Sequence, residues 1–221
     1  MTNDEYFEKL ELKIEALREL RSQGVQLAKG ILGESLTKED LFFCSSLDRC
    51  LHLMDGFMVM LRERNLTCAG ALLRLQMDNC MRTYAAFIAK DQTAVTDCLI
   101  HGTPIKHLED KQGKKMADWY LKVELTKIEP SFGQVYDQAS GYIHLSEKAF
   151  YQTVTDVDDD GLLVLQVGHQ LPEKRNDPLL EGADAYIHYV ILHYKMLDAV
   201  RESKERFDAV QREKDEIQES G

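Results

Sequence analysis

Apolar residues return at intervals of three and four through most of the 221-residue chain, the signature of helices that bury one face. Between residues 4 and 32 the positions Phe7, Leu10, Ile14, Leu17, Val25 and Ala28 follow this spacing and predict a first helix. Gly30 and Gly33 interrupt it, and Thr37 with Asp40 three residues on predicts an N-cap and a second helix from about residue 38. That helix carries Leu41, Cys44, Leu47, Leu51, Met54, Met58 and Leu61. Phe42, Phe43, Leu53, Phe57 and Val59 widen the stripe, so burial on two sides is expected. After the polar break RERN, residues 67–90 predict a third helix packed through Leu73, Met77, Cys80, Tyr84 and Phe87. So short a link predicts that the second and third helices are antiparallel.

Residues 91–115 are less periodic and hold Gly102, Pro104 and Gly113, which predicts short helical pieces and loops before helix resumes in MADWYLKVELTKI. Pro130 suits the first turn of the next helix, PSFGQVYDQASGYIHLS, where its missing N–H costs no intrahelical bond. The runs FYQTVTDV and LLVLQVG on either side of DDDG predict a β-hairpin at about 150–167. From about Leu179 a long last helix runs through Tyr186, Val190, His193, Leu197, Val200 and Phe207. The tail, about 208–221, loses its apolar face and is expected to fray. The expected fold is therefore mostly α: one domain over residues 1–221, a bundle of five to six helices with one β-hairpin inserted before the C-terminal helix.

The hairpin turn also resembles half of a calcium loop, with Asp156, Asp158, Asp160 and Gly161 in place. Val164 and Val167 stand where later ligands belong, and the flanking runs have strand chemistry, so a polar turn is expected, with neither metal nor cofactor. Five cysteines without a CxxC pair read as structural thiols. The net charge of -11 argues against a general DNA binder, though not against a small nucleotide ligand. Apolar runs such as AAFIA and YVILHY are too short for a bilayer, and the start MTNDEYFEKLE is too acidic for a secretory leader. No membrane association and a cytoplasmic location are expected.

Two polar columns carry the candidate chemistry. Arg74, Asp78 and Arg82 follow at i, i+4 and i+8 beside an apolar face. Tyr136, Ser140 and His144 repeat that spacing, provided the helix persists past Gly141. Ser45 and Ser46 lack a GxSxG setting and read as ordinary helical positions, His188 and His193 lie five apart on different faces, and His101 and His107 receive no role.

LLRLQMDNCMRTYA followed by YDQASGYIHLS and a hairpin, over roughly residues 40–170, resembles a group of uncharacterised bacterial helical proteins placed near the HEPN superfamily. The resemblance implies a helical bundle, frequently dimeric. It also implies, for many members, metal-independent ribonuclease activity through an R-x4-6-H motif, with the arginine on the phosphate and the histidine in acid–base work. This chain departs from the motif: Arg49 and His52 in RCLH are only three apart. Any active site must therefore combine Arg74 or Arg82 with His144. One reading is a polar pocket for a phosphate-bearing ligand, a nucleotide or RNA end. In it Arg74 and Arg82 bind the anion, Asp78 orients them, Tyr136 and Ser140 complete the wall, and His144 is the candidate for proton transfer. The other is a non-catalytic interaction module, homodimeric through its long terminal helices, in which the same residues are structural.

Overall fold

The computed structural model describes residues 3–144, 146–147, 154–157, 161–165, 167–168 and 176–219, and these are mostly α-helical. Seven α-helices occur among them: α1 (Asn3–Leu32), α2 (Lys38–Arg62), α3 (Leu66–Ile88), α4 (Gln92–His101), α5 (Asp118–Ile128), α6 (Phe132–Ser140) and α7 (Asn176–Glu219). The short α4 and a 3-10 turn at Ile105–His107 fill the segment whose weak periodicity predicted short pieces. No helix among the described residues is long and apolar enough to cross a membrane.

Helix α3 is the centre of the molecule, packing against α2, α4, α5, α6 and α7. Its composition explains the position: Leu73, Met77, Cys80, Met81 and Ala85 are buried, and so are the small or neutral polar residues Gln76, Asn79 and Thr83. A helix buried on nearly all sides must pair its polar side chains inside the protein. Helix α2 is buried on two sides through Phe42, Phe43, Leu47, Cys50, Met54, Phe57 and Leu61, while Leu41 and Val59 face outwards. Phe57 stacks on Tyr186 of α7 with ring centroids 3.8 Å apart.

Helix α1 packs on α7 and α2 by a row that keeps Leu10, Ile14 and Leu17 of the expected one and differs at Phe7 and Val25. Tyr6, Leu10, Ile14, Leu17 and Ile31 are buried, whereas Phe7 and Val25 are 48% and 39% exposed. Gly24 continues the buried row because the Tyr194 side chain fills the space a Cβ would need. The Tyr194 hydroxyl donates there to the Leu20 carbonyl at 2.9 Å.

The α1–α2 turn is closed by the Thr37 capping box: Asp40 N donates to Thr37 Oγ1 at 3.3 Å, and Thr37 N donates to Asp40 Oδ2 at 2.8 Å. The far part of α7 then clamps this turn. Lys204 Nζ pairs with Asp40 Oδ2 at 2.6 Å, with both side chains almost fully buried. Asp208 accepts from Glu34 N and Ser35 Oγ, both at 2.9 Å. The helix itself runs on to Glu219, through the stretch beyond about 208 that lacks an apolar face.

Between α6 and α7, β1 (Val154–Val157) and β2 (Leu163–Leu165) pair antiparallel, Val154 opposite Leu165 and Val157 opposite Leu163. The Asp158 and Asp160 positions of the calcium-like turn lie outside the described residues. Among those described, no group of three or more His, Cys, Asp or Glu side chains is placed to hold a metal.

Candidate functional site

The arginine column of α3 divides between two environments. At one end, Arg74 is tied to α6: its Nε donates to Ser140 Oγ at 3.0 Å and an Nη donates to the Tyr136 hydroxyl. Its Cζ lies 3.5 Å from the Tyr136 ring centroid, and Nη1 pairs with Asp78 Oδ2 at 2.5 Å. Ser140 Oγ in turn donates to the Tyr136 carbonyl at 2.8 Å. The Arg74 side chain is only 12% exposed, so the guanidinium needs these acceptors to offset its desolvation. Burial raises the Tyr136 phenol pKa against the lowering effect of Arg74, which keeps the hydroxyl protonated. Four of the expected site residues, Arg74, Asp78, Tyr136 and Ser140, are thus brought together as a closed knot.

His144 is not part of it. Helix α6 ends at Ser140, with Gly141 as its C-cap and a turn over 141–144, so the third position of the expected column is never reached. His144 is exposed, and among the described residues no hydrogen bond or ion pair links it to Arg74 or Arg82. Arg82 also turns elsewhere: its Nη2 meets Asp118 Oδ1 at 2.6 Å, at the start of α5.

Arg82 and Asp78 line a cleft of about 540 Å³ that the sequence reading did not assemble. Helix α2 contributes Ser45, Ser46 and Arg49, α3 contributes Asp78, Asn79 and Arg82, and the α4–α5 segment contributes Pro104, Ile105, Lys106 and Asp118. Arg49 and Lys106 are exposed, and among the described residues neither has an acidic partner. Helical spacing builds two of the walls. Ser45 and Arg49 are four apart on α2, Asp78 and Arg82 four apart on α3, and the turn Glu63–Asn65 folds one column against the other. That turn is set by Arg64 at φ 51 and by Asn65, whose side chain accepts from Cys68 N at 3.0 Å.

Behind the cleft lies a buried network. Asn79 Nδ2 donates to the Ser46 carbonyl at 2.8 Å, and Ser46 Oγ donates to Asn79 Oδ1 at 3.3 Å. The Ser46 hydroxyl is 2.6 Å from Thr83 Oγ1 and 2.9 Å from His193 Nε2, and Thr83 Oγ1 is 3.0 Å from the same nitrogen. Burial lowers the His193 pKa to about 3, so the imidazole is neutral. Its Nδ1 is buried with no hydrogen-bond partner among the described residues. The tautomer protonated at Nε2 is therefore favoured, because it aims the N–H at the two hydroxyls and leaves only a lone pair unmatched. The Ser46–His193 contact looks like a nucleophile–base pair, but a base of this pKa is a poor proton acceptor near neutrality. The network joins α2, α3 and α7 as structure.

The chain matches no protein-family model, no curated protein and no solved structure.

Proposed function

We propose that the protein binds a small phosphate-bearing ligand in the cleft between α2, α3 and the α4–α5 segment, and that the Arg74 knot is scaffold. The observation that carries this reading is the presence of Arg49 and Lys106, from separate elements, on one cavity without acidic partners among the described residues. In a chain of net charge -11, two such cations at a cleft concentrate anions locally. Arg82 adds a planar donor that Asp118 already shares, and the volume falls within the range of roughly 300–1,000 Å³ common for small-molecule sites.

Catalysis is not part of the proposal, since neither His144 nor His193 lines the cleft. A HEPN-like kinship adds no residue to the site, because the R-x4-6-H motif is absent. Isothermal titration with inorganic phosphate and ribose 5-phosphate tests the reading. The wild-type protein binds ribose 5-phosphate, and the Arg49→Ala, Lys106→Ala double variant binds it at least about tenfold more weakly. Absence of binding by the wild type, or equal binding by the two proteins, would overturn it.

The second reading, a non-catalytic interaction module, is favoured by the enclosure of Arg74 among partners from its own helix and α6. A homodimer belongs to that reading, and sedimentation equilibrium checks it against the chain mass of 25.4 kDa.

A further inference from the structure

A second cleft, of about 720 Å³, opens between the first turn of α2, the end of α3 and the far part of α7. Its apolar wall is presented to solvent: Phe207 is 44% exposed, and Phe87 and Val200 are only partly buried. Aromatic and aliphatic surface of this kind gains free energy when an apolar group replaces the water on it.

Two cations stand on the same cleft. Just beyond α3 the chain pairs with the loop before α5 through an antiparallel bridge between Ala89 and Asp110. In it Lys90 N donates to the Glu109 carbonyl and Lys111 N to the Ile88 carbonyl, both at 3.0 Å. This pairing holds Lys90 and Lys111 on adjacent segments, and both are exposed and line the cleft. The nearby acid Glu109 is already taken by Lys115 at 3.2 Å, and among the described residues neither Lys90 nor Lys111 has an acidic partner. Lys111 Nζ donates to the Phe87 carbonyl at 3.0 Å, which holds it at the end of α3 and leaves it further N–H donors. Two such cations beside apolar surface attract an anion that carries a hydrocarbon body.

The acids of the cleft limit the charge of that anion. Asp40 is neutralised by Lys204 at 2.6 Å, whereas Glu39, which accepts from Thr93 Oγ1 at 2.5 Å, has no cationic partner among the described residues. Its repulsion of a ligand head doubles when the head carries two charges in place of one. A phosphate monoester is close to doubly charged at neutral pH, and a carboxylate carries a single charge.

We infer that this cleft binds a single-chain aliphatic carboxylate, its hydrocarbon along Phe87, Val200 and Phe207 and its head at Lys90 and Lys111. The site is separate from the phosphate cleft, since no residue lines both, and it does not rest on that reading.

Titration calorimetry of the full chain with octanoate, acetate and octyl phosphate near neutral pH tests this. The expected result is saturable octanoate binding, at least about tenfold tighter than acetate because only octanoate has a chain to bury, and tighter than octyl phosphate. Lys90→Ala and Phe207→Ala, both at exposed positions, each weaken octanoate about fivefold or more. Arg49→Ala, Lys106→Ala leaves octanoate binding unchanged. Absence of octanoate binding, equal affinity for acetate, or octanoate binding that survives both Lys90→Ala and Phe207→Ala overturns the inference. Loss of octanoate binding in the Arg49→Ala, Lys106→Ala protein overturns it as well, by moving the ligand to the other cleft. Tighter binding of octyl phosphate than of octanoate overturns the singly charged head.

Discussion

Arg74 and Arg82 sit two turns apart on one helix, yet they meet different surroundings. Arg74 is opposed by α6, which offers a phenol, a hydroxyl and an aromatic face, and its side chain is 12% exposed. Arg82 is opposed by the start of α5, which offers a single carboxylate that is itself 53% exposed, and the space beside it stays open. Residue type and spacing are the same in both cases. What differs is the number of acceptors the opposing element brings and how completely it excludes water, and that difference leaves Arg74 enclosed and Arg82 beside an open cleft.

The contrast can be broken or sharpened by measurement, beginning with the most enclosed charge. Lys204 and Asp40 are a pair with both side chains buried, so Lys204→Met leaves an uncompensated carboxylate at the α1–α2 turn and costs about 3–5 kcal/mol by urea unfolding. Arg74→Ala strands Asp78 and the Tyr136 hydroxyl in a slightly wetter setting and costs about 2–4 kcal/mol. A loss as small as that of a surface pair would show that the knot is not structural.

The neutral network behind the cleft predicts an acid limb. The unfolded imidazole takes up a proton near 6.5 whereas folded His193 does so only near 3, so the unfolded state binds more protons between those values. Stability from this group is complete above 6.5 and falls as the pH drops, by about 1.4 kcal/mol per pH unit, until the folded pKa is reached. Unfolding of wild type and His193→Gln between about pH 6.5 and 5 isolates it, above most carboxylate titrations: the variant loses that slope, and an unchanged slope contradicts the assignment. The smallest effect belongs to Arg82→Ala, whose exposed partner limits the cost to under about 1 kcal/mol.

Much of the architecture was legible because burial on one side imprints a period on the chain. The helices from α1 to α3 and the Thr37–Asp40 box follow from spacing and cap chemistry alone. The clamp of α7 on the α1–α2 turn was not, because Lys204 and Asp208 are buried against a turn some 170 residues away, and local pattern carries no trace of such a partner. At the site, the convergence of Arg74 with Tyr136 and Ser140 was readable as two polar columns, but the break at Gly141 removed His144 from the second. The cleft was missed for a different reason. Arg49 and Lys106 are two among 27 basic residues, and only the folding of α2 onto α3 and the path of the α4–α5 segment bring them to one cavity. The signal that was available lay in Ser45, Ser46 and Arg49, a polar column facing Asp78, Asn79 and Arg82 across the turn between the two helices.

Arginine side-chain NMR during titration with ribose 5-phosphate compares the two ends of α3 in a single experiment. The account predicts saturable shifts of the Arg49 and Arg82 Nε–Hε signals while that of Arg74, held by Ser140, stays in place. Movement of the Arg74 signal with Arg49 unaffected would contradict it.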